Sequence, residues 1–381
     1  MSRHSGSSTV TRHAVERNEF MKTVVVDKIA SITQALNLKH ELRVETDNIP
    51  CEEGVVLVGE VLNNKSTYNT LELTSGRMAK VAKGDIVVGA LGHRQALFGY
   101  SGHIPKSIKE GDVIQLLNIG GVLGAVESVN PEKGRPFDVR VIGVVLQFPF
   151  LGERIGVPAR VGYKRLDMNA SLNTHGVPIV ALAGTCMEAG KTAAACSIIA
   201  RMRHRGLNVH AFKATGVSLR RDILAMEDAG ARRSMIFTDL GIVTTTAQSG
   251  PALTRTLMTE MTQGEPDVVV FELGDGLLGA YGVEAILSCE DIRNALTSVV
   301  LSANDPVAAW GGVKILRERF GIEPSVVTGP ATDNAVGVNI IRDQFKVPAF
   351  NAITDGAALG DCVIESVGLQ SKARPVQDAG N

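Results

Sequence analysis

Gly184-Thr185-Cys186-Met187-Glu188-Ala189-Gly190-Lys191-Thr192 is the stretch on which the reading of this chain turns. It fits G-x-x-x-x-G-K-[ST] at every fixed position. An apolar strand-like run, Pro178 to Ala183, precedes it, and a helix-forming run, Thr192 to Ala200, follows. Gly184 and Gly190 let the backbone turn sharply and approach an anion without a Cβ in the way. The backbone N–H groups of Thr185, Glu188, Ala189, Gly190 and Lys191 then point inward, and the helix start adds positive potential. Lys191 brings the charge that a neutral loop lacks, and Thr192 offers a hydroxyl to Mg²⁺. The plainer alternative is a Gly-rich turn with an exposed lysine. The coincidence of strand, loop and helix in order favours the anion cradle.

Outward from this loop the chain alternates. Apolar runs at Val177–Ala183, Leu207–Phe212, Ile242–Thr245, Val268–Glu272, Ser298–Leu301 and Ser325–Val327 read as strands. Lys191–Arg205, Leu219–Ala229, Pro251–Met261, 306–319 and 333–345 read as helices. Continuous apolar strands alternating with helices predict an α/β, doubly wound, mostly parallel sheet over residues 170–370. The region 21–165 reads differently. Short apolar runs at 55–58, 86–88, 113–117 and 139–146 are cut by Lys83-Gly84-Asp85 and Glu110-Gly111-Asp112, and Lys22–Leu36 supplies a strand and one helix. That spacing predicts a smaller β-rich domain, a barrel or sandwich with antiparallel pairing. Residues 1–20 read as a polar arm and 371–381 as a loose tail.

Composition narrows the classes. At roughly 150 residues per domain, 381 residues suggest two domains or three. A content of 44% hydrophobic and 21% charged residues excludes wholesale disorder. With 39 Lys+Arg against 40 Asp+Glu the net charge is −1, which argues against a strongly basic nucleic-acid binder. Aromatics at 4%, with one Trp, argue against base-stacking platforms. No run reads as a membrane span, and the first twenty residues lack an apolar signal core. The five cysteines form no CxxC pair, so neither zinc nor a disulfide framework is indicated, and a cytoplasmic location is expected.

Three segments within residues 178–345 resemble the dethiobiotin-synthetase-like branch of P-loop NTPases. The first is Gly184-Thr185 with Gly190-Lys191-Thr192. The second is His210-Ala211-Phe212-Lys213 followed by Arg220-Arg221-Asp222, and the third is Val268-Val269-Val270-Phe271-Glu272-Leu273-Gly274-Asp275-Gly276. The resemblance implies that Lys213 contacts phosphate or substrate, that Asp222 and Glu272 join Thr192 around Mg²⁺, and that Thr328-Gly329 reads the base. It implies ATP as the nucleotide and a homodimer. Leu273 and Asp275 depart from the small residues usual there.

The residues read alone are compatible with these roles. Thr192, Asp222 and Glu272 fall at or just past the carboxyl ends of expected parallel strands, where open α/β sheets bind ligands. Glu272 follows four apolar residues, and a buried carboxylate there needs a cation or donor. Asp222 equally suits a helix start, and Lys213 a solvated strand end. Ser302 to Pro306 could touch a ligand or simply cap a helix. Cys186 reads as a small filler, and the Gly-rich segments at His93-Arg94 and His103 as turns more than as metal sites. The function expected is ATP-dependent activation of a small-molecule carboxylate or carbamate by phosphoryl transfer, catalysed by Lys191, Lys213 and Glu272, followed by C–N bond formation. A small-metabolite kinase and a nucleotide-switched ATPase or partner protein are the alternatives.

Overall fold

The computed structural model describes residues 21–150 and 155–370, so the expected arm (1–20) and tail (371–381) lie outside the described residues. The chain divides into two compact units. Among the described residues, one holds those up to Arg94 and those of Tyr100–Tyr163; the other holds Gln95–Gly99 and those of 164–370.

The first unit is built on one large sheet. Phe137–Gln147 pairs with Val56–Val61, which pairs with Ile86–Leu91, then Val122–Val129, then Val113–Leu116, which returns to Phe137–Gln147. This closed ring makes the unit a barrel rather than a sandwich. Closure removes the free edges that an open sheet exposes. Its inward residues, such as Val139, Val141 and Val58, are buried, while Arg140 between them is exposed. The expected antiparallel pairing fails at two joints, where Val122–Val129 and Lys28–Ile29 each run parallel to Ile86–Leu91. The run Lys22–Leu36 supplies the strand Met21–Val25 and a 3₁₀ turn, Ser31–Leu36, in place of an α-helix.

The second unit alternates strands with helices. Its elements are β1 (Ile179–Gly184), α1 (Lys191–His204), β2 (Val209–Lys213), α2 (Arg221–Asp228), β3 (Arg233–Ile236), α3 (Ser249–Met261) and β4 (Val268–Glu272). There follow α4 (Val283–Ser288), α5 (Glu290–Ala295), β5 (Ser298–Ser302), α6 (Pro306–Phe320), β6 (Val326–Thr328), α7 (Ala335–Ile340) and α8 (Gly356–Ser366). All six strands are parallel, in the order β3-β2-β4-β1-β5-β6. The doubly wound sheet is therefore as expected.

Both faces of this sheet are dry. Ile179, Ala181, Ala183 and Phe271 face a core closed by α3, α4 and α6. Val180, Leu182, Val270 and Val300 face α1 and α8. Strands buried on both sides need continuous apolar runs, which is what the sequence supplies. Phe212 stacks on Phe271 at 4.7 Å and 6°, tying β2 to β4. Two capping devices set helix starts beside the strand ends. Asp305 accepts from Val307 N and Ala308 N ahead of Pro306, and Asn334 accepts from Val336 N and Gly337 N.

Three expectations need correction. Ile242–Thr245 is not a strand and makes only an isolated bridge, Val217 to Thr244; the edge strand is β3, at Arg233–Ile236. Its exposed Arg233 hides it from a hydrophobic reading, and a charged residue is common on an edge. The helix expected over 333–345 is α7 followed by a π turn, Ile341–Phe345. Helix α8 lies beyond the expected elements. It docks on α1 through Asp361, which accepts from both Arg201 and Arg205.

Replacing the fully buried Phe212 by Ala removes the ring stack and leaves a cavity. It is expected to cost about 3–5 kcal/mol of stability, read as a lowered urea midpoint with little change in slope.

Candidate functional site

The 184–192 loop leaves the carboxyl end of β1, with β4 on one side and β5 on the other. The connection from β1 to β2 passes over the position of β4, and that from β4 to β5 passes over β1. This crossing opens the crevice in which open α/β sheets hold ligands.

The loop is pinned from both sides. Thr185 N donates to Ser302 O at 3.0 Å, and Leu277 N donates to Gly184 O at 2.8 Å. Glu188 and Gly190 adopt left-handed backbone, at φ 60° and 87°. At Gly184 a Cβ would lie 2.8 Å from Nζ of Lys191, so a side chain there would collide with the lysine. Lys191 is only 5% exposed. Its Nζ donates to Cys186 O at 2.8 Å and to Asp275 O at 2.5 Å. Burial pushes its pKa down; Glu272 opposes that shift and Lys213 reinforces it.

Next to it Thr192 Oγ1 donates to Glu272 Oε2 at 2.8 Å. Glu272 is buried, and desolvation pushes its pKa above the ordinary carboxylate value; Lys213 opposes this and Asp222 adds to it. Lys213 is ion-paired with Asp222. A further pair, Arg220 to Asp239 at 2.9 Å, lies on the same connection between β2 and α2. Lys191, Lys213, Glu272 and Asp222 thus form one compact group of two cations and two anions.

The segment after β4 is pressed into this group. A Cβ on Gly274 would lie 2.2 Å from Thr215 O, and one on Gly276 would lie 2.7 Å from Thr185 O. Between them Asp275 takes φ 69° and turns its carbonyl onto Lys191. This link was not anticipated from the sequence. The signal for it was the pair of glycines flanking Asp275, where close backbone approach is possible.

Thr192, Glu272, Lys191 and Lys213 are brought together as the sequence suggested. Asp222 reaches the group through Lys213 rather than through Thr192. Thr328 and Gly329 sit at the end of β6, with Gly329 backed against the loop; a Cβ there would lie 2.3 Å from Ala189 O. Glu188 is exposed and Ala189 buried. Ser302 ends β5, and Asp305 caps α6, which is the plainer of its two readings. Cys186 Sγ receives Asn304 Nδ2 at 3.1 Å. His93 and His103 of the first unit are exposed, and His103 pairs with Glu127. Among the described residues no group of three or more His, Cys, Asp or Glu is placed to hold a metal.

Three observations fit a phosphate-bearing ligand. The lysine is held by carbonyls alone. The loop follows a strand and opens a helix, with glycine at the contact points. Thr185 Oγ1, Ser302 Oγ and Thr328 Oγ1, at the ends of the three adjacent strands β1, β5 and β6, are buried without a hydrogen-bond partner. For Mg²⁺ the available donors are the Thr192 hydroxyl and the Glu272 carboxylate, hard oxygens of the kind that ion takes.

No family model and no curated protein matches this chain. Among solved structures it is similar to chloroplast FtsY from Physcomitrella patens, at 14% identity over 54% of this chain and 69% of that one, with a TM-score of 0.36. It is also similar to the hydrogenase maturation factor HypB from Archaeoglobus fulgidus, at 12% identity over 50% and 90%, TM-score 0.33. A third is a duf1611 family protein from Anabaena variabilis, at 14% identity over 54% and 62%, TM-score 0.36. The order of strand, loop and helix on a parallel sheet defines the second unit, by its own geometry, as a P-loop fold. No helix among the described residues is long and apolar enough to cross a membrane.

A carboxyl whose pKa is higher in the folded than in the unfolded chain binds its proton more tightly when folded. Glu272 therefore contributes fully below its ordinary value of 4.5, and that contribution is lost as pH rises through the folded value. Glu272→Gln is expected to remove this downward slope. Denaturation midpoints of both proteins, measured across acid to neutral pH, should converge at low pH and separate above it, with the variant the more stable.

Proposed function

We propose that this protein is a nucleoside triphosphatase that binds a triphosphate with Mg²⁺ in the 184–192 loop, and that this binding moves the segment after β4. The bond from Lys191 Nζ to the Asp275 carbonyl carries this reading. A phosphate oxygen competes for the same ammonium proton, and a negative phosphate is the stronger acceptor. Entry of the triphosphate then releases residues 273–277 from the loop.

The chain's groups divide the work. Loop N–H groups and the start of α1 receive the phosphate oxygens. Lys191 lies against the β- and γ-phosphates, and its buried setting strengthens each interaction. Thr192 and Glu272 would hold Mg²⁺, which when bound would neutralise phosphate charge. A water attacks the γ-phosphorus, the bond to the β–γ bridging oxygen breaks, and the products are the diphosphate and inorganic phosphate. Lys213 steadies charge on the transferring group, with Asp222 holding its ammonium in place.

A second reading keeps the same site and replaces water by a small-molecule carboxylate or carbamate, whose acyl phosphate is then captured by an amine. The Lys213–Asp222 pair favours it, because its buried lysine is a second cation beside the phosphate loop for an anionic co-substrate. The two readings part at the products. Hydrolysis proceeds with nucleotide and Mg²⁺ alone; the synthetase reading needs a carboxylate for turnover and yields a new C–N bond.

Lys191→Ala is expected to lower triphosphate turnover by about 10²-fold or more while the far-ultraviolet circular dichroism and unfolding midpoint stay near those of the parent. Phosphate release, measured with ATP and separately with GTP in the presence of Mg²⁺, is the assay. Full turnover by a folded Lys191→Ala protein would remove the loop from the chemistry.

A further inference from the structure

The five residues Gln95–Gly99 belong to the second unit, although the chain before them, to Arg94, and after them, from Tyr100, belongs to the first. Within the second unit a tyrosine holds them. Gln95 N donates to the Tyr281 hydroxyl at 3.0 Å. Tyr281 is only 2% exposed, so packing fixes the position of this acceptor.

Tyr281 lies at the far end of the segment that follows β4, and two routes tie it to the phosphate loop. The first is the turn 276–279, which Gly279 N closes on Gly276 O at 2.9 Å. A Cβ on Gly279 would lie 2.4 Å from a carboxylate oxygen of Asp275, so the Asp275 side chain rests directly against that turn. Asp275 is also the residue whose carbonyl receives Lys191. A shift of Asp275 therefore reaches Gly279, two residues before Tyr281, by packing and not through slack chain.

The second route is Thr245. Its hydroxyl donates to Tyr281 O at 2.8 Å and accepts from Gly216 N at 2.9 Å. Gly216 follows Thr215, whose carbonyl lies 2.2 Å from where a Cβ on Gly274 would stand. Beyond the tyrosine the chain is fixed. Gly282 takes φ 93° at the start of α4, and a Cβ there would lie 2.4 Å from Thr246 O. Tyr281 thus stands between an anchored glycine and a turn that follows Asp275. Glycines at 274, 276, 279 and 282 allow backbone to approach backbone this closely.

We propose that Tyr281 reports the state of the phosphate loop to residues 95–99. Phosphate draws Lys191 from the Asp275 carbonyl, the turn 276–279 shifts, and the Tyr281 hydroxyl withdraws from Gln95 N. This rests on the nucleotide reading above and adds an output for that site. The chain carries the output onward, since residues 95–99 are continuous with Arg94 and Tyr100. Coupling of this kind is reciprocal: a weaker hold of Tyr281 on Gln95 favours the triphosphate-bound form.

Tyr281→Phe keeps the ring and removes the acceptor. The test measures binding of the β,γ-imido analogues of ATP and GTP, each with Mg²⁺, to the full chain by calorimetry, and follows amide hydrogen exchange over residues 95–99. In the parent, the analogue that binds is expected to speed exchange over 95–99. In Tyr281→Phe, exchange there is already fast, and the analogue binds about twofold to tenfold tighter, the equivalent of one neutral hydrogen bond. A merely structural tyrosine would instead lower the unfolding midpoint and leave binding unchanged or weaker. An analogue that binds the parent, is lost from Lys191→Ala and leaves exchange over 95–99 unaltered overturns this inference and leaves the nucleotide reading standing. So does an affinity that Tyr281→Phe fails to tighten. Failure of both analogues to bind the parent overturns the nucleotide reading and this inference with it.

Discussion

The ammonium of Lys191 sits where burial would normally forbid a charge, and the second unit is arranged around keeping it there. Two backbone carbonyls, from Cys186 and Asp275, receive its protons. Glu272 lies close enough to oppose the fall in its pKa, and Lys213 close enough to deepen it. A lysine whose hydrogen bonds go only to carbonyls keeps its protons available to a stronger, negatively charged acceptor. That exchange is the attraction for a phosphate.

Everything that positions this ammonium follows from the sheet. Because β1 is central and parallel to both neighbours, its carboxyl end is flanked by the ends of β4 and β5. Glu272 closes β4 and Ser302 closes β5, so carboxylate and hydroxyl arrive beside the loop without any long side-chain reach. Lys213 arrives the same way from β2, one strand further out, in register with Glu272. The apolar strands thus do two jobs. They exclude water from both faces, and they deliver polar residues to one rim, where low dielectric makes each charge count. The glycines at 274 and 276 let the next segment close over that rim and supply the second carbonyl to the lysine.

Much of this was legible in the residues. The run Ile179–Gly184 followed by the 184–192 loop announces a buried strand and an anion turn, because continuous hydrophobicity and glycine spacing are local properties. Glu272 was legible for a related reason: a carboxylate ending an apolar strand demands a partner. Strand β3 was not, since Arg233-Ser234 at its start breaks the hydrophobic pattern, and pairing with β2 alone makes it a strand. Helix α8 depends on Asp361 meeting two arginines more than 150 positions away in sequence, which no window could reveal. The pairing of Asp222 with Lys213 was not legible for a similar reason. A carboxylate at a helix start serves a metal or a lysine equally well by its position, and only the turn between β2 and α2 decides that it meets Lys213. In the first unit His93 and His103 stand out in the sequence as polar residues beside glycines, whereas burial singles out Arg94.

The central claim is that the lysine exchanges a carbonyl for a phosphate and thereby frees the segment after β4. Crystallography of the protein with Mg²⁺ and a non-hydrolysable triphosphate addresses it most directly. The account predicts the γ-phosphate against Lys191 Nζ, the metal between Thr192 and Glu272, and the Asp275 carbonyl withdrawn. A nucleotide bound elsewhere, with Lys191 still on that carbonyl, would contradict it.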